Sequence, residues 1–248
     1  GKPELYHYCQ ANNQFEEITL DCPVDLYPIL QGFTLEKGSF LPNSGDQLFV
    51  AGSKGMALLE FETTSGPCSK NGSAARVNSL WRSDEPILAG VGLQNDRQLT
   101  SGDLSGDRVD ELLLFDKEGS WKILRFSPTG SSAGEWKVVT TGEEYKVREW
   151  NTGVVEFKAT AAPYLSAFSQ DIILSVFRDL KTGKNSYTLL RYLPADRKFV
   201  KVFPDRQRSV GLTIGIDTLK PTDQLMPGHF QPGKPLSFFR YNRDWRYD

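Results

Sequence analysis

The sequence predicts an all-β fold, a β-propeller of about four repeats with a period near 62 residues. Three observations predict it. One loop pattern recurs along the chain, each time just before a short apolar run. A second apolar pattern recurs in step with the first, and no stretch shows the sustained 3.6-residue periodicity and caps of a helix. Turn chemistry at a fixed phase is typical of repeat proteins, and radial repetition protects strand edges that a single sheet would leave open.

The recurring loop is most complete in its second copy, Gly102–Glu111. Oxygen-bearing side chains fall there at alternate positions, Asp103, Ser105 and Asp107, and a strand pattern follows at once from Leu112. Alternate oxygens in a tight loop converge on one point, as a hard cation such as Ca²⁺ requires. The other copies have lost most of their acids, and their strand patterns begin 64 residues before Leu112 and 60 and 124 residues after it, at Leu48, Ile172 and Leu236.

The second strand of each repeat has a large apolar residue, two aliphatic residues, a charge and then an aromatic residue. The pattern occurs at Met56–Phe61, Trp121–Phe126 and Tyr187–Tyr192, with a weaker copy at Leu5–Cys9. Third strands are predicted at Phe15–Leu20, Trp136–Thr140 and Phe199–Phe203, with a further strand at Arg76–Arg82. The second and third repeats are therefore predicted to hold three short strands each, and helix content is predicted to be low.

The order of these patterns predicts how the chain closes. The chain begins with second- and third-strand patterns and ends with a first-strand pattern, Leu236–Tyr241. Pairing of the N-terminal hairpin with that strand would complete a ring of four blades and leave no open edge. The alternative is a larger propeller, which Trp245–Tyr247 favours because it looks like the start of a second strand. In either arrangement residues 1–248 are predicted to form one propeller domain.

The composition and charge of the chain bear on which classes of partner it can bind. The chain has 29 Lys and Arg against 31 Asp and Glu, a net charge of −2, so no overall field favours nucleic acid. No run of about 18 apolar residues is present, so no membrane span is predicted. The start at Gly1–Glu4 is polar, so any targeting segment is expected to have been removed or to lie outside this sequence. Three cysteines, Cys9, Cys22 and Cys68, allow one internal disulfide, whose pairing the sequence leaves open.

The loop at 102–112 resembles the calcium loop of the FG-GAP or VCBS repeat, which typically reads G-D-x-N-G-D-G-x-x-D-L. Such repeats form the propellers of integrin α-subunits and of Tc-type and SpvB-type toxins, so the resemblance implies a β-propeller in an extracellular or secreted protein. It also implies that Ca²⁺ is held by the side chains of Asp103, Ser105 and Asp107, the Val109 carbonyl and the Glu111 carboxylate. Asp110 is the alternative to Glu111.

Two residues depart from the pattern of that family. Ser105 replaces the usual Asn or Asp and is a weaker ligand, and Arg108 replaces the usual Gly. The alternative interpretation of the loop is an Asp-rich turn held by Asx-type hydrogen bonds without a metal.

The favoured function is a non-enzymatic binding or scaffold module that presents propeller loops to a protein or glycan. His7 and His229 are the only histidines, and no G-x-S-x-G elbow, C-x-x-C pair or P-loop is present. The alternative is a carbohydrate-active enzyme, a glycan hydrolase or lyase, with carboxylates at the propeller axis. Among the tryptophans that could stack on a sugar, Trp150 is the better candidate for exposure, whereas Trp121 and Trp136 are predicted to pack in the core.

Overall fold

The computed structural model describes residues 5–9, 13–21, 34–63, 73–93, 97–116, 120–129, 134–142, 155–164, 170–179, 183, 185–203, 224–228 and 237–241. Across these residues the protein is all-β, with strands and no helix. The strands are β1 (Leu5–Cys9), β2 (Gln14–Asp21), β3 (Thr34–Gly38), β4 (Gln47–Gly52), β5 (Gly55–Thr63), β6 (Ser73–Ser83), β7 (Ile87–Leu88), β8 (Val91–Gly92), β9 (Arg97–Gly102), β10 (Glu111–Asp116), β11 (Trp121–Pro128), β12 (Gly134–Gly142), β13 (Val155–Ala162), β14 (Ile172–Asp179), β15 (Asn185–Leu193), β16 (Lys198–Phe203), β17 (Gln224–Gly228) and β18 (Ser237–Tyr241).

Most strands lie in groups of four in which consecutive strands are neighbours. One sheet has the order β1-β2-β6-β5-β4-β3, a second β12-β11-β10-β9 and a third β13-β14-β15-β16. Two shorter sheets consist of β17-β18 and β7-β8. The groups β3–β6, β9–β12 and β13–β16 repeat one order, and β17–β18 matches its first two strands. In the groups β3–β6 and β9–β12, whose loops the structure describes in full, the recurring loop connects the first strand to the second, at residues 39–46 and 103–110.

The strands predicted from apolar patterns are confirmed as β4, β10, β14 and β18 and, for the second-strand pattern, β5, β11, β15 and β1. The prediction of three strands for the second and third repeats is wrong, because each of these repeats has four. The missed strands β9 and β13 precede the loop, as do β3 and β17 elsewhere in the chain. Their sequences are short and rich in polar or small residues, so they carry no apolar run that would mark them.

The predicted pairing of the terminal strands is wrong. The N-terminal hairpin forms as predicted, with Tyr8 opposite Phe15, but β1 and β18 belong to different sheets. β2 instead pairs in parallel with the start of the long strand β6, from Ile18 opposite Ser73 to Asp21 opposite Arg76. The hairpin thereby pairs with the outer edge of β6 over its first four residues, Ser73–Arg76.

The chain groups into two compact units. One comprises Gly1–Leu93 with Phe126–Lys137, and the other comprises Gln94–Arg125 with Val138–Asp248. The propeller arrangement, its number of blades and the single domain over residues 1–248 stay predictions. No helix long and apolar enough to cross a membrane occurs in the described part of the chain.

Each unit has its own core. In the first, the ring of Trp136 packs edge-on against Phe40 and Phe49, with centroids 5.4 and 5.3 Å apart. In the second, Trp121 is 1% exposed and packs edge-on against Phe199 at 4.9 Å. The predicted core positions of Trp121 and Trp136 are therefore confirmed. Trp150, His229, Cys22 and Cys68 lie outside the described residues, as do residues 229–236 of the fourth copy of the recurring loop.

Candidate functional site

The candidate site is the loop of residues 103–110, which connects β9 to β10 in the second unit. Its base is closed by the antiparallel pair of Gly102 and Glu111. Leu104, the second residue of the loop, is 1% exposed and belongs to the core of this unit. The apolar side chain thus fixes one end of the loop, while the polar residues that follow it are free to turn towards each other.

The Asp103 carboxylate organises the turn. Its Oδ1 accepts hydrogen bonds from the backbone N–H groups of Gly106 at 2.7 Å and Asp107 at 3.0 Å. Its Oδ2 accepts from the N–H of Arg108 at 2.9 Å. Both carboxylate oxygens therefore accept hydrogen bonds from the backbone of the loop. This is the Asx-type turn that was the alternative to a metal site in the interpretation of the sequence.

The Glu111 carboxylate clamps the other side of the loop. Its Oε2 accepts from the N–H groups of Leu104 at 3.0 Å and Ser105 at 3.2 Å, and its Oε1 accepts from the Ser105 hydroxyl at 2.9 Å. Glu111 is 2% exposed. Burial raises the pKa of Glu111 to about 7, although the charge of Arg125 and the bonds from Ser105 and Leu104 act to lower it.

Arg125, on β11, lies where the remaining oxygens of the loop converge. Its Nη2 is 2.6 Å from each carboxylate oxygen of Asp107, 2.8 Å from Glu111 Oε1 and 3.3 Å from the Ser105 hydroxyl. Burial alone would raise the pKa of Asp107, but hydrogen bonds from Arg125 and from the Val109 N–H outweigh it, so this pKa lies below its usual value.

These contacts decide whether the five predicted calcium ligands fit the ion. Both carboxylate oxygens of Asp103 accept hydrogen bonds from backbone N–H groups. Ser105, Asp107 and Glu111 all contact Arg125. Val109 contributes an N–H bond to Asp107 at 3.0 Å. The residues as arranged do not fit a resident Ca²⁺ ion, because a protein cation already stands among their oxygens. Within the described ranges, no group of three or more His, Cys, Asp or Glu is arranged to hold a metal.

The segment before β14 holds the loop from a second side. Asp171 Oδ2 accepts from the N–H of Asp103 at 3.2 Å, and the N–H of Asp171 donates to the Asp103 carbonyl at 2.7 Å. The side-chain amide of Gln170 donates to the carbonyls of Leu104 at 3.1 Å and Tyr192 at 2.6 Å. Burial raises the pKa of Asp171 to about 6. Sequence reasoning assigned no role to these two residues, although they stand at the acidic phase of the third repeat.

The corresponding loop of the first unit, residues 39–46, is clamped by a neutral residue. Gln47 stands 64 positions before Glu111, and its Oε1 accepts from the N–H groups of Phe40 at 2.8 Å and Leu41 at 3.3 Å. Its Nε2 donates to the Ser44 hydroxyl at 2.5 Å and to the Gly45 carbonyl. The two repeats therefore build the same clamp, one with an amide and one with a carboxylate.

Comparison of the chain with models of protein families and with curated proteins finds no match. The similarity to FG-GAP or VCBS repeats therefore rests on the loop residues themselves.

Proposed function

We propose that this protein is a non-enzymatic binding or scaffold module of an extracellular assembly, built from propeller blades, that presents its recurring loops to a protein or glycan. The observation that carries the proposal is the preorganisation of the loop at 103–110. Asp103, Glu111 and Gln170 bond to its backbone, so little conformational entropy is left to lose when a partner binds.

The repeated four-stranded groups support the propeller part of the proposal. Blades of a propeller are four-stranded sheets in which consecutive strands are neighbours, as β9–β12 and β13–β16 are. Two of the groups, β3–β6 and β9–β12, have similarly held loops between their first and second strands, at residues 39–46 and 103–110. In propellers in general, loops that recur at one position of every blade form a surface on which a partner can be held at several points.

Arg108 is the residue of the loop that we propose to contact the partner. It is exposed and has a φ of 70°, a left-handed conformation that costs a non-glycine residue roughly 1–2 kcal/mol. Calcium loops of the resembling family usually place glycine here. An exposed arginine kept in a strained backbone conformation suits a contact with carboxylate, sulfate or phosphate groups.

The state of Cys9 supports the extracellular part of the proposal. Cys9 is buried and disulfide-bonded, and its two candidate partners, Cys22 and Cys68, lie outside the described residues. Disulfides persist in oxidising compartments such as the extracellular space and are rare in reducing ones.

The test is a binding screen of the 248-residue chain against immobilised sulfated and sialylated glycans and extracellular proteins, followed by point variants of the best binder. Arg108→Gly removes the charge and the backbone strain together, so it leaves the fold intact. Arg197→Gly is the matched control, because Arg197 is also exposed and has a φ of 51° in a different turn. Affinity is expected to fall about tenfold in Arg108→Gly alone. Equal affinity in both variants would contradict the proposal.

The observation that favours the alternative function, a carbohydrate-active enzyme, is the raised pKa of Glu111 and of Asp171. Glu111, however, is 2% exposed, and both of its carboxylate oxygens accept hydrogen bonds from the loop at 103–110. Its position therefore suits a role in stabilising that loop. A purified chain that cleaves glycans, and loses that activity in Asp171→Asn while remaining folded, would favour the enzyme.

A further inference from the structure

One nitrogen atom occupies the point on which the loop oxygens converge. Nη2 of Arg125 lies between 2.6 and 3.3 Å from four oxygens, which belong to Ser105, Asp107 and Glu111. These are three of the five residues that the resemblance predicts as calcium ligands. A calcium ion requires several oxygens around one point, and here those oxygens already surround a positive charge.

The charge of Arg125 is needed where it stands. Glu111 is 2% exposed and lies close to Asp107, so without a cation the buried Glu111 carboxylate would have no compensating charge and would face a second carboxylate at the surface. A guanidinium stays protonated at any physiological pH. Arg125 therefore supplies the compensating charge permanently, whatever the calcium concentration outside the protein.

Comparison with the first repeat indicates that Arg125 is present because the clamp residue, Glu111, is a carboxylate. There the clamp is Gln47, and the residue opposite it on β5 is Glu60. In the second repeat the clamp is Glu111, and the charged position of the second-strand pattern is Arg125. The amide nitrogen of Gln47 makes the donor contacts, to Ser44 and Gly45, that a carboxylate cannot make. The neutral clamp thus occurs with a glutamate at the second-strand position, and the acidic clamp occurs with an arginine there.

We infer that Arg125 is a built-in cation that takes the place of calcium in the loop at 103–110, so that the loop folds without metal and gains a divalent-cation site only when Arg125 is removed. This assignment is independent of the partner proposed above. It concerns the loop as a structural element, and it explains why a calcium-type loop pairs with an arginine of the neighbouring strand.

The experiment measures the thermal midpoint and the calcium-binding heat of the full chain in EDTA, in millimolar CaCl₂ and in millimolar MgCl₂. The unaltered chain is expected to show the same midpoint in all three within about 1 °C, and no saturable heat. Arg125→Ala is expected to melt several degrees lower in EDTA and to recover by at least about 3 °C with Ca²⁺, binding near one equivalent. Arg82→Ala is the control, because Arg82 pairs with Asp84 at the surface and should give no calcium response.

Two further variants keep the test decisive if Arg125→Ala does not fold. Arg125→Lys retains a cation and is expected to gain no calcium response. The double variant Arg125→Ala with Glu111→Gln copies the neutral clamp of Gln47 and is expected to fold without metal. Calcium binding by the unaltered chain that is lost in Asp103→Asn would overturn the inference. So would an Arg125→Ala variant that folds but does not respond to Ca²⁺, or a double variant that fails to fold.

Discussion

Gly102 ends β9 directly against Asp171. A Cβ atom on Gly102 would lie 2.7 Å from Asp171 Oδ2 and 2.7 Å from the Cβ of Ala161. The missing side chain lets the segment before β14 approach the base of the acidic loop, where Asp171 accepts its bond from the N–H of Asp103. The glycine is thus required for close packing, and its backbone conformation is an ordinary one.

The first prediction follows from that contact. Gly102→Ala should lower the free energy of unfolding by about 1–3 kcal/mol, because the new methyl group must displace the Asp171 carboxylate or Ala161. Gly45→Ala is the matched control, since no atom lies within 4 Å of a Cβ at that position. Urea unfolding followed by tryptophan fluorescence measures both. Equal stabilities for the two variants would show that the packing at Gly102 is loose.

The second prediction exchanges the two clamps. At pH 8 Glu111→Gln should leave the free energy of unfolding unchanged or raise it, because it removes a buried charge while the amide oxygen still accepts from Leu104 and Ser105 and Arg125 keeps Asp107 as its partner. Gln47→Glu should cost at least about 2 kcal/mol at pH 8, because it buries an anion that faces the Gly45 carbonyl and has Glu60 opposite.

Chemical denaturation of the two variants measures this asymmetry. Its control is Gln98→Glu on β9, an exchange of the same chemistry away from both clamps. If Gln47→Glu is as stable as Glu111→Gln, the charge of the clamp does not depend on the residue at the second-strand position.

Much of the strand order follows from sequence because the apolar runs are buried on both faces. Leu112, Leu113 and Leu114 are all buried, and the pattern that marks them recurs at the other strand starts. The first strand of each group carries no such mark. In β13 the buried residues include Ala159 and Ala161, whose burial comes from neighbouring sheets and not from their own hydrophobicity.

Part of the candidate site was also predictable from the sequence, because most of its residues lie in one short loop. Asp103, Ser105, Asp107 and Glu111 are close in sequence, so their convergence follows from the loop itself. Arg125 reaches the same point only through the register that places Leu124 opposite Leu112. Spacing within a loop does not reveal that register, nor which charge stands opposite the loop.

The third prediction concerns the strained loop position. Arg108→Gly should raise the free energy of unfolding by about 0.5–1 kcal/mol, because glycine adopts a φ of 70° without a steric penalty but loses more entropy on folding. Asn43→Gly in the first loop should change stability less, because asparagine tolerates its φ of 60°. Thermal unfolding measures both variants. A destabilised Arg108→Gly would indicate that the arginine side chain itself holds the loop.

The last prediction is the pH dependence of stability. Burial raises the pKa of Glu111 from its ordinary 4.5 to about 7 and that of Asp171 from 3.8 to about 6. Between about pH 4 and pH 7 the folded protein therefore binds more protons than the unfolded chain does. The unfolding free energy should fall as pH rises through this window. Ionisation of Glu111 accounts for about 3 kcal/mol of that decrease.

The lowered pKa values of Asp46 and Asp107 act in the opposite direction at lower pH, where their protonation removes stability. Maximal stability is thus expected near pH 4–5. Urea titrations from pH 3 to pH 8 measure the curve, with Glu111→Gln expected to flatten it above pH 5. Glu135→Gln, at an exposed residue paired with Lys137, is the control and should leave the slope unchanged. A slope above pH 5 that is the same in Glu111→Gln and in the unaltered chain would assign the proton uptake to another group.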